Sequence, residues 1–597
     1  MKPLIVFTAC LLLVCTSARS PAQPAPTERP NIILILSDDM GYSDLGSYGS
    51  EIRTPNLDSL AMNGLRYTQF YNMGHCCPSR AALMTGLYPH QTGLGWMTDK
   101  NFHLPGFIGE LNDHCVTLAE VLQSAGYHTF MTGKWHLAHN VRAGGPRYNW
   151  PLQRGFEKFY GILTGAGNYY DPPSLCRGNT LITPANDPKY HSDNYYFTNA
   201  ISDNAVEFIE SRKKDKPFFM YVAYTTAHWP MQAPESEIKK YAGQYDEGWE
   251  VLRKRRFERE KALGVIDTGT VLSPLDTHPW EAETDKKPMA RRMETYAAMI
   301  SMMDSGVGQI VAELKKEGIF DSTLIIFLQD NGGNAEGVGY GSGPEGKTHF
   351  VAKDTAQLKP LGKNELQYAV TPAITHSGAR SIVGKKVMAG PENTYLAYLK
   401  PWANVSNTPF RKYKNFLYEG GISTPLIMHW PKGIQAPHGA IRNQIGHEID
   451  IMPTLVQLAG ATYPKNYKGH PITPVSGISL VPTFSDQALP ERAIYFAHQA
   501  NRALRMGPWK IVSGAVLHGP YGKWKTFTSM PWELYNIEDD RSELKDLSAQ
   551  YPEKVRQMAA MWKQWAHATQ VYPMPWKAEA PEQQSYYMST PWKFADF

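Results

Sequence analysis

Four short apolar runs, rich in β-branched and aromatic residues, punctuate the chain up to Asn331, and each is followed at once by polar residues. Asn31 to Ser37 (NIILILS) ends in Asp38-Asp39, and Tyr127 to Thr132 is followed by Lys134 and His136. Phe218 to Tyr224 leads to His228, and Thr323 to Gln329 (TLIIFLQ) ends in Asp330-Asn331. An unbroken apolar run suits a strand covered on both faces, as in a parallel sheet. Helical segments fall between the runs. Thr117-Leu118-Ala119-Glu120 reads as a capping box with Gly126 as the closing cap, and Thr54-Pro55 opens another helix. Asn199 to Lys214 and Arg292 to Gly318 are amphipathic enough to pack on a sheet. Strands alternating with helices predict an α/β fold with a central, mostly parallel sheet. Ligands of such sheets collect outside the carboxyl ends of the strands, so the four polar endings can converge although they lie up to about 290 positions apart.

Around residues 462 to 490 the composition shifts to Pro, Gly and Ser. Strand-like pieces at Ala493 to Phe496 and Trp509 to Val512 then precede a helix near Glu553 to His567, which predicts a smaller C-terminal α+β domain. The expected division is a main domain over 28–462 and the smaller one over 490–597. No internal repeat is visible.

Composition narrows the classes. Of 597 residues, 42% are hydrophobic and 19% charged, enough for a buried core and too apolar for disorder. The net charge of +4 leaves no electrostatic footprint for nucleic acid or an anionic membrane. The charge-dense stretch Arg253 to Lys261 (RKRRFEREK) mixes signs and is expected to form a solvated helix face. Met1-Lys2, an apolar run from Leu4 to Cys15 and Thr16-Ser17-Ala18 have the regions of a secretory signal peptide, assigned to residues 1–20, so the protein is expected to be exported, periplasmic or secreted. That run is too short to span a bilayer and no later run approaches eighteen residues, so no membrane anchor is expected. Val14 stands where a lipoprotein reading through Cys15 wants a small residue. Beyond the leader remain Cys76, Cys77, Cys115 and Cys176, and export leaves a Cys115–Cys176 disulfide open.

The strand-end residues carry chemistry. Adjacent carboxylates repel unless a cation or proton separates them, so Asp38-Asp39 suggests a metal, although alone each such pair is more often a turn or helix cap. With Asp330 and Asn331 the donor set is all oxygen, which favours a hard cation such as calcium or magnesium over zinc. A further signal is Cys76-Cys77-Pro78-Ser79-Arg80, continuing to Leu83-Met84-Thr85-Gly86.

This C-x-P-S-R…L-x-T-G pattern resembles the signature by which type I sulfatases, formylglycine-dependent members of the alkaline phosphatase superfamily, have a cysteine oxidised to formylglycine. The resemblance implies an alkaline-phosphatase-like α/β sandwich and a sulfuric ester hydrolase acting on an aryl or carbohydrate sulfate. It implies that Cys76 is the modified residue, matured by a formylglycine-generating enzyme. Calcium, ahead of magnesium, would be held by Asp38, Asp39, Asp330, Asn331 and the modified Cys76. A hydrated aldehyde would attack sulfur, expel the alcohol and then collapse to release sulfate. Arg80 would hold the diol, Lys134 and Lys414 the sulfate oxygens, His228 the leaving oxygen, and His136, in Gly133-Lys134-Trp135-His136, would remove the proton that drives the collapse. Lys414 stands five residues before Glu419-Gly420-Gly421, as in the family. Later landmarks are Gly446 to Asp450 with Pro453-Thr454, Gly477 to Leu480, and Asn501-Arg502-Ala503 before Trp509-Lys510; Tyr245 to Arg256 resembles an insertion of bacterial members. Two departures are Cys77 in the variable position and the long stretch from Gly332 to Tyr413. Two alternatives are a formylglycine phosphonate or phosphodiester hydrolase, whose relatives tend to have His at the place of Asn331, and an inactive sulfated-glycan-binding protein. His498, Asn501 and Arg502 are candidates for contacts beyond the sulfate.

Overall fold

The computed structural model describes residues 29–190, 195–338, 349–351, 357–518 and 526–575. The leader expected over residues 1–20 lies outside them. At the centre is an eleven-stranded sheet. Its strands are β1 Asn31–Ser37, β2 Leu65–Tyr71, β3 His128–Lys134, β4 Lys158–Ile162, β5 Leu175–Arg177, β6 Thr180–Leu181, β7 Phe218–Ala223, β8 Thr323–Gln329, β9 Ser423–His429, β10 Ala440–Arg442 and β11 Gly446–His447. The order is β10-β2-β9-β8-β1-β7-β3-β4-β5-β6, with β11 beside β2. The inner strands β8-β1-β7-β3-β4 are all parallel, while β9 runs antiparallel to both β8 and β2.

The unbroken apolar runs are explained by two cores. Ile33 and Ile35 of β1, with Ile325 and Phe327 of β8, face one core, shared with the helices Phe197–Glu210 and Lys286–Lys316. Ile32, Leu34 and Leu36, with Leu324, Ile326 and Leu328, face the other, shared with Leu118–Ser124 and Ile451–Ala459. Each such side chain contributes about 1.5–3 kcal/mol by leaving water. Thr117 and Glu120 cap Leu118–Ser124 reciprocally, as the capping-box reading requires.

The segment after residue 462 is less separate than its composition suggests, because Ile472, Leu480 and Phe484 are buried in the second core. Beyond it, Ala493–His498, Asn501–Met506, Trp509–Ser513 and Glu533–Asn536 form an antiparallel sheet backed by the helix Pro552–Ala568, the expected α+β unit. It docks through Lys510, which reaches Glu419 at 2.9 Å and Glu543 at 2.8 Å with all three side chains fully buried. Among the described residues no helix is long and apolar enough to cross a membrane.

One expectation is corrected and one open point is answered. The charge run lies on the helix Trp249–Ala262, but Arg253, Arg256 and Glu260 of it are buried. Arg256 pairs with Asp44 at 2.7 Å and Glu51 at 2.8 Å, and Arg253 donates to the Ser273 and Asn404 carbonyls, so only the opposite face is solvated. Cys115 and Cys176 are free thiols, directed to the carbonyls of Asn112 and Gly178 respectively.

Candidate active site

Parallel register builds the site. Ser37 lies opposite Gln329, so β1 and β8 release Asp38-Asp39 beside Asp330-Asn331. Lys134 is the last residue of β3, and β7 runs out toward His228. The helix Cys76–Thr85 begins in the same cleft with Cys76 as its first residue and ends on Gly86 at φ +69°, a left-handed cap suited to glycine. Lys414 enters from the turn before Glu419–Ile422, its backbone N–H donating to the Gly333 carbonyl at 3.2 Å. All ten sequence candidates thus meet in one buried cluster.

Three carboxylates and three cations interlock there. Lys134 Nζ donates to Asp38 Oδ2 at 2.5 Å. Arg80 donates through Nη2 and Nε to Asp330 Oδ2 at 2.7 and 3.1 Å, with Nη2 also 3.4 Å from Asp38 Oδ2. Lys414 Nζ lies 2.9 Å from Asp39 Oδ1. Asn331 Nδ2 donates to Asp39 Oδ1 at 2.7 Å, and His228 Nε2 sits 3.5 Å from Asp39 Oδ2 while its Nδ1 faces the Trp229 carbonyl at 2.7 Å. With all three carboxylates ionised the cluster is neutral, and a dication would make it net positive, the sign an anionic ligand needs.

The donor chemistry fits such a cation. Asp38 Oδ1 and Asn331 Oδ1 are buried with no hydrogen-bond partner, a cost of about 1–3 kcal/mol each that a hard cation would remove. Ligand atoms of Asp38, Asp39 and His228 lie within 4.8 Å of one another. A hard cation would take the oxygens rather than His228, because three carboxylates and an amide oxygen outweigh one imidazole in hardness.

The two cysteines are sharply distinguished. Cys76 Sγ is in the cleft, 3.4 Å from His75 Nδ1. Cys77 points into the core, its thiol on the Trp96 carbonyl at 3.3 Å and Met97 Sδ at 3.5 Å. Burial pushes the Cys76 thiol up to about 11, and Lys134 and Lys414 offset this only in part. The unmodified side chain is therefore a protonated thiol at neutral pH, a weak nucleophile. Burial and then Lys134 and Arg80 hold His136 well below the ordinary histidine value, so it is a neutral base, and its Nδ1 has no partner. Burial also lowers His228, against the pull of Asp39. Asp330 is raised to about 7 by burial and by Asp38 beside it. Burial raises Asp39 too, but Lys414 and His228 outweigh it and hold that carboxyl below its usual range.

Close packing fixes these groups. Gly133, at φ +101°, lies so near β7 that a Cβ would fall 1.9 Å from the Ala223 carbonyl oxygen, which is why the strand delivering Lys134 and His136 has glycine there. Of the outlying candidates, His498 is at the site, its ring stacked on His75 at 4.7 Å. Asn501 instead accepts from the Ala515 N–H, and Arg502 lies over Trp532 at 4.4 Å, so both hold the C-terminal sheet together. Sequence reading missed Asn334, whose Nδ2 donates to Asp39 Oδ2 at 2.6 Å, and Tyr221, whose hydroxyl lies 3.5 Å from Arg80 Nη1. Tyr221 is hidden inside an apolar run, and nothing in the residues after Asn331 marks Asn334.

Comparison with known proteins agrees with this geometry. The family model "Sulfatase" matches residues 30–461, and "N-sulphoglucosamine sulphohydrolase, C-terminal" matches 410–570. An uncharacterized sulfatase of Schizosaccharomyces pombe is 32% identical over 92% of this chain and 96% of its own length. An arylsulfatase of Klebsiella aerogenes is 34% identical over 77% of this chain and 93% of its own. Among solved structures, Ps i-CgsB in complex with k-i-k-neocarrahexaose superimposes with a TM-score of 0.60 at 24% identity, over 94% of this chain and 97% of that one. The fold is therefore the alkaline-phosphatase-like one, and the chain belongs to the sulfatase family, enzymes that hydrolyse sulfate esters.

Proposed function

We propose that this sulfatase works through a formylglycine made from Cys76 by a formylglycine-generating enzyme, with a calcium ion held by Asp38, Asp39, Asp330, Asn331 and the modified residue. The observation that carries the reading is the pair of orphaned oxygens, Asp38 Oδ1 and Asn331 Oδ1, beside a protonated Cys76 thiol at a helix N-terminus. Calcium is favoured over magnesium because magnesium tends to keep several waters, whereas this cage is protein oxygen throughout. When present, the hydrated aldehyde supplies an oxygen nucleophile and the cation makes its hydroxyl easier to deprotonate.

The remaining work falls to the chain's own side chains. Arg80, fixed by Asp330, orients residue 76 and meets charge on its oxygens. Lys134 and Lys414, already buried, need no further desolvation to bind sulfate oxygens, which is how preorganised charge lowers a barrier. His228, its Nδ1–H donating to the Trp229 carbonyl, would carry a second proton on Nε2, favoured by Asp39 against burial, and give it to the departing oxygen. Neutral His136 accepts the proton whose removal frees sulfate.

The substrate class is a sulfated glycan or small aryl sulfate, as suggested by the arylsulfatase of Klebsiella aerogenes and by the human N-acetylgalactosamine-6-sulfatase, which is 26% identical over 80% of this chain. The main domain over 28–462 carries the catalytic residues and the unit over 490–597 supports it. Export to the periplasm or medium follows from the N-terminal pattern. Release of inorganic sulfate from p-nitrophenyl sulfate and from hexose 6-sulfates, by protein co-expressed with a formylglycine-generating enzyme, tests the reading. Equal turnover by Cys76→Ala protein would refute it.

A further inference from the structure

The catalytic groups are buried, but the side of the cleft at His228 ends in two partly exposed residues, Trp229 and Glu336. Trp229 follows His228 directly, its ring 4.9 Å from the imidazole, and its Nε1 donates to Glu336 Oε2 at 2.7 Å. Asn334 Nδ2 donates to the same Oε2 at 3.1 Å and to Asp39 Oδ2 at 2.6 Å. Glu336 is thus braced from two sides and linked to Asp39 through one amide. Among the described residues its second oxygen, Oε1, has no hydrogen-bond partner, and it is not one of the fully buried orphans. Lys414 feels this carboxylate: burial lowers the ammonium's proton affinity, but Asp39 and Glu336 hold it above the ordinary lysine value.

His228 marks where the alcohol half of the ester leaves. A fixed, outward-facing acceptor beside an aromatic ring is what a hydroxylated ring needs, with C–H groups against the indole and a hydroxyl on the carboxylate. The same charge is repulsive to a second sulfate or a carboxylate there. We infer that Glu336, braced by Trp229 and Asn334, is a specificity residue for the alcohol half: it accepts a hydrogen bond from a hydroxyl near the ester, selects monosulfated sugars and disfavours sugars bearing a second anionic group on that side. The inference rests on the sulfatase reading and on His228 as the leaving-group residue.

The test is kcat/KM of wild type and Glu336→Gln on a hexose 6-sulfate, a hexose disulfate and p-nitrophenyl sulfate. Glutamine keeps an acceptor for Trp229 and removes the charge. The ratio of monosulfated sugar to aryl sulfate should fall by roughly 10- to 100-fold, the worth of a hydrogen bond to a charged group, and the ratio of disulfate to monosulfate should rise. Trp229→Phe, which releases the carboxylate from the indole, should move both ratios the same way by less, and carries the test if Glu336→Gln does not fold. Unchanged ratios in a folded variant would overturn the inference, as would an equal loss of kcat on all three substrates, which would mean that Glu336 acts only through Asn334 on Asp39. Wild type that cleaves none of the three esters would instead overturn the sulfatase reading itself.

Discussion

Gly165 gives a sharp test of how His136 is held. A Cβ at this position would lie 2.4 Å from His136 Cε1 and 2.5 Å from Nε2, against a comfortable carbon separation of about 3.5–4.0 Å. The ring must therefore retreat by about 1 Å, and misplacement on that scale is worth ~100-fold in rate, or about 2.7 kcal/mol. Gly165 is not among the residues at positive φ, so alanine can adopt its backbone and the fold should survive at a cost of about 1–3 kcal/mol from overpacking. Gly165→Ala should thus keep a cooperative melt and bind cation while losing ~100-fold in kcat. Rapid-quench kinetics on an aryl sulfate should still show one equivalent of phenol released before the stall, because His136 is needed after that step. A folded variant with kcat within about twofold of wild type would show that His136 is not held in a working position by this contact.

The two histidines should separate in the same assay. His136→Ala should give a burst and then accumulate sulfated enzyme, whereas His228→Ala should slow the first step, most for alkyl esters whose leaving oxygen needs a proton. Asp38→Ala leaves Lys134 without its 2.5 Å partner and removes an orphaned oxygen, so elemental analysis should find no stoichiometric calcium and activity should vanish. Lys510→Met strands Glu419 and Glu543, the latter already raised to about 7 by burial and by the Glu419 charge beside it against the pull of Lys510, and should cost about 3–5 kcal/mol in denaturant unfolding. His376 has a pH signature: burial lowers its proton affinity, but the Asp171 contact at 2.7 Å outweighs this and raises it above 6.5. A raised folded value gives stability that is complete below the unfolded value and lost as pH climbs through the folded one, so the Tm gap between wild type and His376→Gln should be widest below pH 6.5 and close above it.

Much of the site was legible because register and periodicity determine it. Runs such as NIILILS, short and β-branched, suit strands covered on both faces, and parallel pairing sends their polar ends to one edge. What could not be read were contacts made by residues distant in the chain or without a motif. Gly165 matters only because it lies under His136, and Asn334 only because the chain after Asn331 turns back on Asp39. The charge run misled for a physical reason: mixed signs usually mean solvation, but Arg256 finds Asp44 and Glu51 in the interior and is buried with its counterions. Asn501 and Arg502 were candidates for contacts beyond the sulfate, yet Asn501, although paired opposite His498, accepts from the Ala515 N–H, and Arg502 lies over Trp532.

The most direct measurement is peptide mass spectrometry on active protein, with the aldehyde fraction at residue 76 followed against kcat across preparations of different maturation. Turnover should rise in proportion to aldehyde at position 76 and extrapolate to zero without it, with Cys77 always recovered as a thiol. Full sulfatase activity in protein carrying only thiols, or an aldehyde at 77 in its place, would contradict the account.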